Sequence, residues 1–206
     1  MELERESIEA IKEAEGSIGV LWSGGKDSTV LLWLCRKAFN GEVPFPVVYV
    51  EAGRQLHEVL EFRDRLAGEW KLDLKVVKGS GGCCGEALPG AVGGLGLDAV
   101  LAGSRDGEEC ALTTGSGDVG GVRVSYPLRR WSELDVWRYV KAEGVPVPEL
   151  YLSKGGRRCV KVGCAACGVQ VESDAATVDG IIKELESKTD SEEDIIVQRL
   201  KSLGYM

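Results

Sequence analysis

Histidine and long apolar runs are what this chain most plainly lacks: it has one histidine in 206 residues and no stretch approaching the roughly 20 apolar residues that cross a bilayer. His57 has no partner in neighbouring sequence, so histidine-pair chemistry has no second member, and a helix-surface position is the plain reading. The start, Met1-Glu2-Leu3-Glu4-Arg5-Glu6, is acidic and lacks the apolar stretch of a secretory signal, which predicts a cytoplasmic protein with no membrane attachment. Positive charge is also scarce. With 25 basic against 33 acidic residues the net charge is -8, which argues against indiscriminate binding of nucleic acid or anionic membrane. A transfer-RNA substrate would need a local basic patch to offset that charge. Local basic clusters do exist, in Arg129-Arg130 and in the run from Lys154 to Lys161 that holds Arg157 and Arg158.

What is present predicts an α/β fold. At 44% apolar the chain can bury one sizeable core, so residues 1–206 are expected to form a single domain: a core over 16–145, then a cysteine-bearing loop and helices over 146–206. Ile8, Ile11 and Ala14 recur at helical spacing. Ile18 to Trp22 reads as a short buried strand, Asp27 to Phe39 as a helix packed on a sheet, and Phe45 to Val50 as a second strand with its proline near the start. Leu56 to Trp70 carries a helical stripe, Leu72, Leu74 and Val76 alternate, and Asp98 to Gly103 suggests a fourth strand. Between Gly79 and Gly96 eight glycines discourage regular structure, although Glu86 to Val92 suits a short helix. Val122, Val124 and Tyr126 alternate again, and Ser132 with Asp135 three residues later starts another helix. Helices are expected near Ala176 to Leu185 and Glu192 to Leu203. This βαβα order implies parallel strands joined by crossover helices, with ligands at the strands' carboxyl ends.

The turn Ser23-Gly24-Gly25-Lys26-Asp27-Ser28 falls between the first strand and its helix. Backbone amides in such a turn and the positive end of the following helix bind anionic oxygens. Ser23, Lys26 and Ser28 add side-chain donors, and Asp27 could orient Lys26 or a magnesium ion. The spacing is shorter than that of the common phosphate-binding loop, so the grip on phosphate should differ. An ordinary strand-to-helix turn is the plainer alternative.

Seven cysteines form an odd count with no export signal, which favours metal ligation over a disulfide framework. Cys83-Cys84 and Cys164-Ala165-Ala166-Cys167 are two close pairs, with Cys84 and Cys164 80 positions apart. Adjacent cysteines reach one small tetrahedral ion only with strain, whereas a cubane offers separate irons. A 4Fe-4S cluster therefore ranks first, ahead of zinc and of plain buried or redox thiols. Cys159, flanked by Arg157, Arg158 and Lys161, is open to three readings: a low-pKa nucleophile, an alternative ligand or a partly buried thiol. Cys35 falls in an apolar helix and reads as core, and Cys110 follows a charged cluster with a weak claim to a role.

Ser-Gly-Gly-Lys-Asp-Ser resembles the motif of ATP pyrophosphatases, which cut ATP between its α- and β-phosphates. Val50 to Arg54 with Glu58, Phe62-Arg63-Asp64, Gly103-Ser104-Arg105, and Tyr126 to Trp131 with Val136-Trp137 narrow the likeness. They resemble the family that joins phosphoadenylyl-sulfate reductases, adenylyl-sulfate reductases and the small subunit of the two-subunit sulfate adenylyltransferase, over residues 18–187. The resemblance implies a Rossmann-like sheet of the adenine nucleotide α-hydrolase type, mostly parallel, flanked by helices and followed by a small helical C-terminal part. It places adenine near the end of the second strand and phosphates on Ser23 to Ser28, with Gly103 nearby, and it turns Arg105, Arg129 and Arg130 toward a sulfur oxyanion. Guanidinium groups offer paired donors to such oxyanions and could stabilise charge on a pentacovalent phosphorus; a solvated surface pair is the alternative for Arg129-Arg130. The second cysteine pair, after Gly163, resembles that of iron-sulfur adenylyl-sulfate reductases.

The match is mixed. Reductases of the family carry a further catalytic cysteine in their tail, and no cysteine follows Cys167, which leaves Cys159 or Cys110 as nucleophile. Gly168 to Asp174 through Ile182 looks more like the adenylyltransferase subunit, which normally lacks a cluster and works with a GTPase. Lys26 and Asp27, both intact, favour ATP as substrate. The expectation is an enzyme that cleaves ATP to pyrophosphate and an adenylate, on sulfate or another sulfur-pathway acceptor. The alternatives are an adenylyl- or phosphoadenylyl-sulfate reductase drawing on a thiol reductant such as thioredoxin, and a non-catalytic nucleotide or redox sensor. A homodimer is left open.

Overall fold

The computed structural model describes residues 2–79, 84–106, 118–119, 121–162 and 168–188. In chain order, α1 (Glu2–Lys12) precedes β1 (Ile18–Leu21), α2 (Lys26–Ala38), β2 (Val47–Glu51), α3 (His57–Glu69) and β3 (Leu74–Lys78). Then come α4 (Cys84–Gly93), β4 (Ala99–Leu101), β5 (Asp118–Val119), β6 (Val122–Ser125) and α5 (Glu133–Glu143). A short 3-10 turn (Glu149–Tyr151), β7 (Arg157–Lys161), β8 (Val169–Glu172) and a helix α6 over 178–188 complete the described chain.

Six strands form one sheet in the order β3-β2-β1-β4-β6-β5, parallel except for the β5–β6 pair. Val20 of β1 faces Val47 of β2 on one side and Leu101 of β4 on the other, which puts β1 at the centre and its exit loop at the carboxyl edge. All four residues of β1 are buried, as a strand covered on both faces requires. This is the Rossmann-like, mostly parallel sheet that the resemblance implied. One face packs Val30, Leu31, Leu34, Val59, Leu66, Val136 and Val140, from α2, α3 and α5, into the larger core. The other face meets α4 through Ala87, Leu88, Ala91 and Val92, small residues that let this helix lie close to the sheet.

The start of α5 follows from local chemistry. The Ser132 side chain accepts from the Asp135 amide while Asp135 accepts from the Ser132 amide, so two otherwise orphaned donors are satisfied. Gly144 ends the helix at φ 67°, a left-handed position that glycine adopts without strain.

Two expectations are corrected. Residues 157–161 and 169–172, expected as loop, pair as an antiparallel ribbon, so the C-terminal part is not purely helical. Arg158 and Cys159 are both buried, and the register shifts just after them, between Cys159 and Lys161. Val76, expected on a buried face, is 43% exposed because β3 is an edge strand paired with β2 alone. The helix expected at 192–203 lies outside the described residues. No helix among the described residues is long and apolar enough to cross a membrane.

The ribbon is tied to α6 by charge. Arg158, 3% exposed, donates to Glu184, which also accepts from Ser173 and Lys188. Burial works to raise the Glu184 carboxyl, but hydrogen bonds from Lys188, Ser173 and Arg158 outweigh it and hold the pKa at about 2. A depressed carboxyl contributes stability that is present above its ordinary value of 4.5 and is lost as pH falls toward 2. Glu184→Gln should therefore cost about 1–2 kcal/mol at neutral pH. It should also flatten the acid limb of the stability curve between pH 4.5 and 2, checked by denaturant unfolding at a series of pH values.

Candidate functional site

Gly24 and Gly25 occupy positions with little or no room for a side chain. Gly24 has φ 76°, and a Cβ there would lie 2.7 Å from Val59 Cγ1. At Gly25 a Cβ would come within 3.0 Å of the Val162 carbonyl and 3.2 Å of the Tyr151 hydroxyl, so the turn is pressed against the segment leading out of β7. Inside the turn the Ser23 amide donates to Ser28 Oγ at 3.2 Å, and Thr29 Oγ1 donates to the Gly25 carbonyl at 2.8 Å. Buried Trp22 fixes Thr29 in turn through its indole N–H, at 3.0 Å. The result is a preformed turn at the positive end of a 13-residue helix, α2. The Lys26 amide does not face open space: it donates to Tyr151 Oη at 3.0 Å.

Four charged side chains meet beside this turn. Lys26 Nζ lies 2.9 Å from Asp27 Oδ2 and 3.2 Å from Glu133 Oε2. Arg105 Nε lies 2.8 Å from Asp27 Oδ1, and Arg105 Nη2 lies 2.6 Å from Glu133 Oε2. Two cations and two carboxylates give a neutral quartet around Lys26, which is 3% exposed. Burial alone would lower the Lys26 pKa, yet Asp27, the Tyr151 oxygen and Glu133 more than offset it, so the ammonium is held above its ordinary value. Burial also raises the Tyr151 phenol and keeps it a neutral hydroxyl.

Gly103 follows β4 and lets the 102–105 segment close on the start of α2. A Cβ at Gly103 would sit 2.9 Å from the Ser28 amide nitrogen and 3.0 Å from the Asp27 carbonyl. Those contacts are to backbone, which cannot swing aside.

Of the three expected arginines, the structure places Arg105 alone in the quartet. Arg129 is 69% exposed, with its Nε on Asp106 Oδ1 at 2.8 Å, and Arg130 is 72% exposed and gripped by both Glu6 carboxylate oxygens of α1. Both side chains stand at the surface, each on a carboxylate. Asp27, offered as a magnesium ligand or as the orienter of Lys26, holds the Lys26 ammonium through Oδ2, while its buried Oδ1 lies 2.8 Å from Arg105 Nε without making a hydrogen bond. Cys159, a candidate nucleophile, is 5% exposed within the main core and accepts a long hydrogen bond from Gln170 Nε2 at 3.8 Å. Cys35 is fully buried, its thiol pushed up to about 12 by burial. His57 is 81% exposed, 3.3 Å from Glu61 one helical turn on.

Cys83, Cys110, Cys164 and Cys167 lie outside the described residues, and Cys84 opens α4. The backbone flanking the two pairs is described. Gly79 donates to the Glu51 carbonyl at 3.0 Å, and a Cβ on it would meet Ala87 of α4 and Ala52, just past β2. On the other side the Val162 carbonyl abuts Gly25. Both flanks therefore stand at the carboxyl edge of the sheet. Among the described residues no group of three or more His, Cys, Asp or Glu side chains is arranged to hold a metal ion.

Glu133 and Tyr151 were not legible as site residues. The capping pattern marked where α5 starts, but nothing in spacing connects Glu133 with Lys26 across 107 positions. Tyr151 opens the stretch to Gly168 that resembles the second cysteine segment of iron-sulfur adenylyl-sulfate reductases, but nothing in that resemblance points to its hydroxyl, which matters because Gly25 lies against it.

Residues 17–84 and 85–170 match the model of the phosphoadenosine phosphosulfate reductase domain. The chain belongs to that family. It is 32% identical to sulfate adenylyltransferase subunit 2 of Shewanella loihica, over 74% of this chain and 67% of the relative. It is 29% identical to the same subunit of Vibrio atlanticus, over 93% of this chain and 89% of the relative. Among solved structures, the phosphoadenylyl-sulfate reductase of Candida auris superimposes with TM-score 0.60 at 18% identity, covering 82% of this chain and 95% of that one. The FMN adenylyltransferase of Candida glabrata, bound to FMN and an ATP analogue, gives TM-score 0.63 at 17% identity, covering 80% of this chain and 63% of that one. Both structural likenesses establish a shared adenine nucleotide α-hydrolase-like fold. Membership of the family makes the protein a nucleotide enzyme of sulfur metabolism.

Gly103→Ala should displace the α2 start, because the added methyl meets backbone at about 3 Å. The expected outcome is a drop in adenine nucleotide affinity of roughly tenfold or more with a melting temperature only modestly lowered, measured by titration calorimetry beside a thermal melt.

Proposed function

We propose that the enzyme cleaves ATP at the α,β-phosphate bond and transfers the adenylyl group to sulfate, with a 4Fe-4S cluster on Cys83, Cys84, Cys164 and Cys167. The observation that carries the reading is the intact Ser23–Ser28 turn with Lys26 and Arg105 brought to one point beside it. A sulfate oxygen attacks the α-phosphorus, the bond to the bridging oxygen breaks, and its electron pair leaves with pyrophosphate. Lys26, Arg105 and the amides at the start of α2 stabilise the charge that builds on the phosphoryl oxygens. Gly103 keeps the Arg105 segment against the turn, and adenine is assigned to the end of β2. Arg129, whose carbonyl accepts from the Asp106 amide at 2.9 Å, is held beside the Arg105 segment and would meet the sulfur oxyanion from the surface, while Arg130 has the weaker claim. Relatives described as subunit 2 favour a partner subunit for this chain as well. Residues 146–206 would then complete the nucleotide-binding core of 16–145 by bringing in the second cysteine pair.

Four thiolates suit an iron-sulfur cluster, and the described flanks of both pairs at one edge of the sheet support their meeting there. The cluster, when bound, would pin the two cysteine segments at the mouth of the turn. No transfer step is routed through it.

A sulfonucleotide reductase is the second reading, favoured by the description of the family model. Against it, the two thiols described, Cys35 and Cys159, are both buried. Anaerobically purified protein should release pyrophosphate from ATP on addition of sulfate and magnesium. Lys26→Met should lower that rate roughly a hundredfold or more. Sulfite release from adenylyl sulfate with a reduced dithiol, and no pyrophosphate from ATP, would instead establish the reductase; tight nucleotide binding with neither product would establish a sensor. Iron and acid-labile sulfide should each approach about four per chain, and Cys164→Ser should lose both.

A further inference from the structure

Glu133 is the one member of the quartet that comes from neither the phosphate turn nor the segment closing over it. Its Oε2 receives both Lys26 Nζ and Arg105 Nη2, at 3.2 and 2.6 Å, so it stands at the point on which the two cations converge. Its Oε1 accepts the Trp137 indole N–H at 2.9 Å. Its side chain is 32% exposed against 19% for Asp27, and it occupies the first turn of α5. A ligand phosphate oxygen that engages Lys26 and Arg105 together must take the place of that carboxylate oxygen.

We propose that Glu133 is an internal anion that competes with ligand phosphate for Lys26 and Arg105, and so acts as a positioning residue that sets how tightly the site holds a polyanion. The proposal rests on the reading of Ser23–Ser28 as a phosphate site. Displacing Glu133 from the cations is cheap, because the carboxylate keeps its Trp137 bond and turns toward water. Leaving the two buried cations with the single charge of Asp27 between them would be costly. Return of the carboxylate therefore assists departure of pyrophosphate: the cations exchange one anion for another and keep their counter-charge.

Pyrophosphate binding by titration calorimetry to the parent, Glu133→Gln and Lys26→Met tests this without reference to turnover. The amide of Glu133→Gln keeps the shape and the Trp137 contact but competes weakly for the cations. It should bind pyrophosphate more tightly, on the order of tenfold, with a slower off-rate. Lys26→Met should bind it much more weakly than the parent. Should Glu133→Gln not fold, Glu133→Asp draws the carboxylate back by one methylene, too far to span both cations, and should shift affinity the same way. Unchanged or weaker pyrophosphate binding by a folded Glu133 variant, with parent and Lys26→Met behaving as stated, overturns the proposal while leaving the phosphate site standing. Absence of pyrophosphate binding by the parent overturns both.

Discussion

A lysine ammonium that is 3% exposed survives in a protein only if its charge is matched at hydrogen-bond distance, and much of the carboxyl edge of this sheet meets that requirement at Lys26. Asp27 supplies one carboxylate from the same turn and Glu133 supplies the other from α5. Arg105 then closes the square from the loop after β4. Three segments distant in sequence are locked by this one balance of charge. The glycines follow from it, since Gly103 must let the Arg105 segment touch the backbone at Asp27 and Ser28.

Tyr151 extends the constraint to the C-terminal part. Its hydroxyl accepts the Lys26 amide and its ring lies beneath the ammonium, with Nζ 5.5 Å from the ring centroid. The same residue packs edge-on to Trp137, whose indole holds Glu133. The chain next enters β7, where Arg158 is paired with Glu184 of α6. The phosphate turn and the ribbon that leads to the second cysteine pair therefore share buried neighbours, and a change in one is felt by the other through packed side chains rather than through a flexible linker.

Such an arrangement suits a family in which adenylyl transfer and sulfonucleotide reduction use one nucleotide-binding sheet. What distinguishes the two chemistries is the group that meets the sulfur oxyanion. Here the two described thiols, Cys35 and Cys159, are buried, and the cations converge beside the glycine-rich turn. Arg129 and Arg130 stand outside that point, paired with Asp106 and with half-buried Glu6.

Local rules carried much of the fold. Strand and helix order, the Ser132 capping box and the glycine-rich turn depend on periodicity, caps and φ preferences, which act over a few residues and are written in adjacent positions. The ribbon at 157–172 escaped because glycines and basic residues mask its alternation, and its inward Arg158 is tolerable only with Glu184 opposite. Lys26 and Asp27 announced themselves by motif; Glu133 and Tyr151 did not. Their roles come from through-space charge and contact, which depend on where α5 and the 149–151 turn come to rest on the sheet. Sequence alone determined that a glycine-rich turn carrying Lys26 and Asp27 follows β1 at the head of α2. Only the folded chain decided which carboxylates neutralise its lysine, because electrostatic energy depends on distance in space and not along the chain.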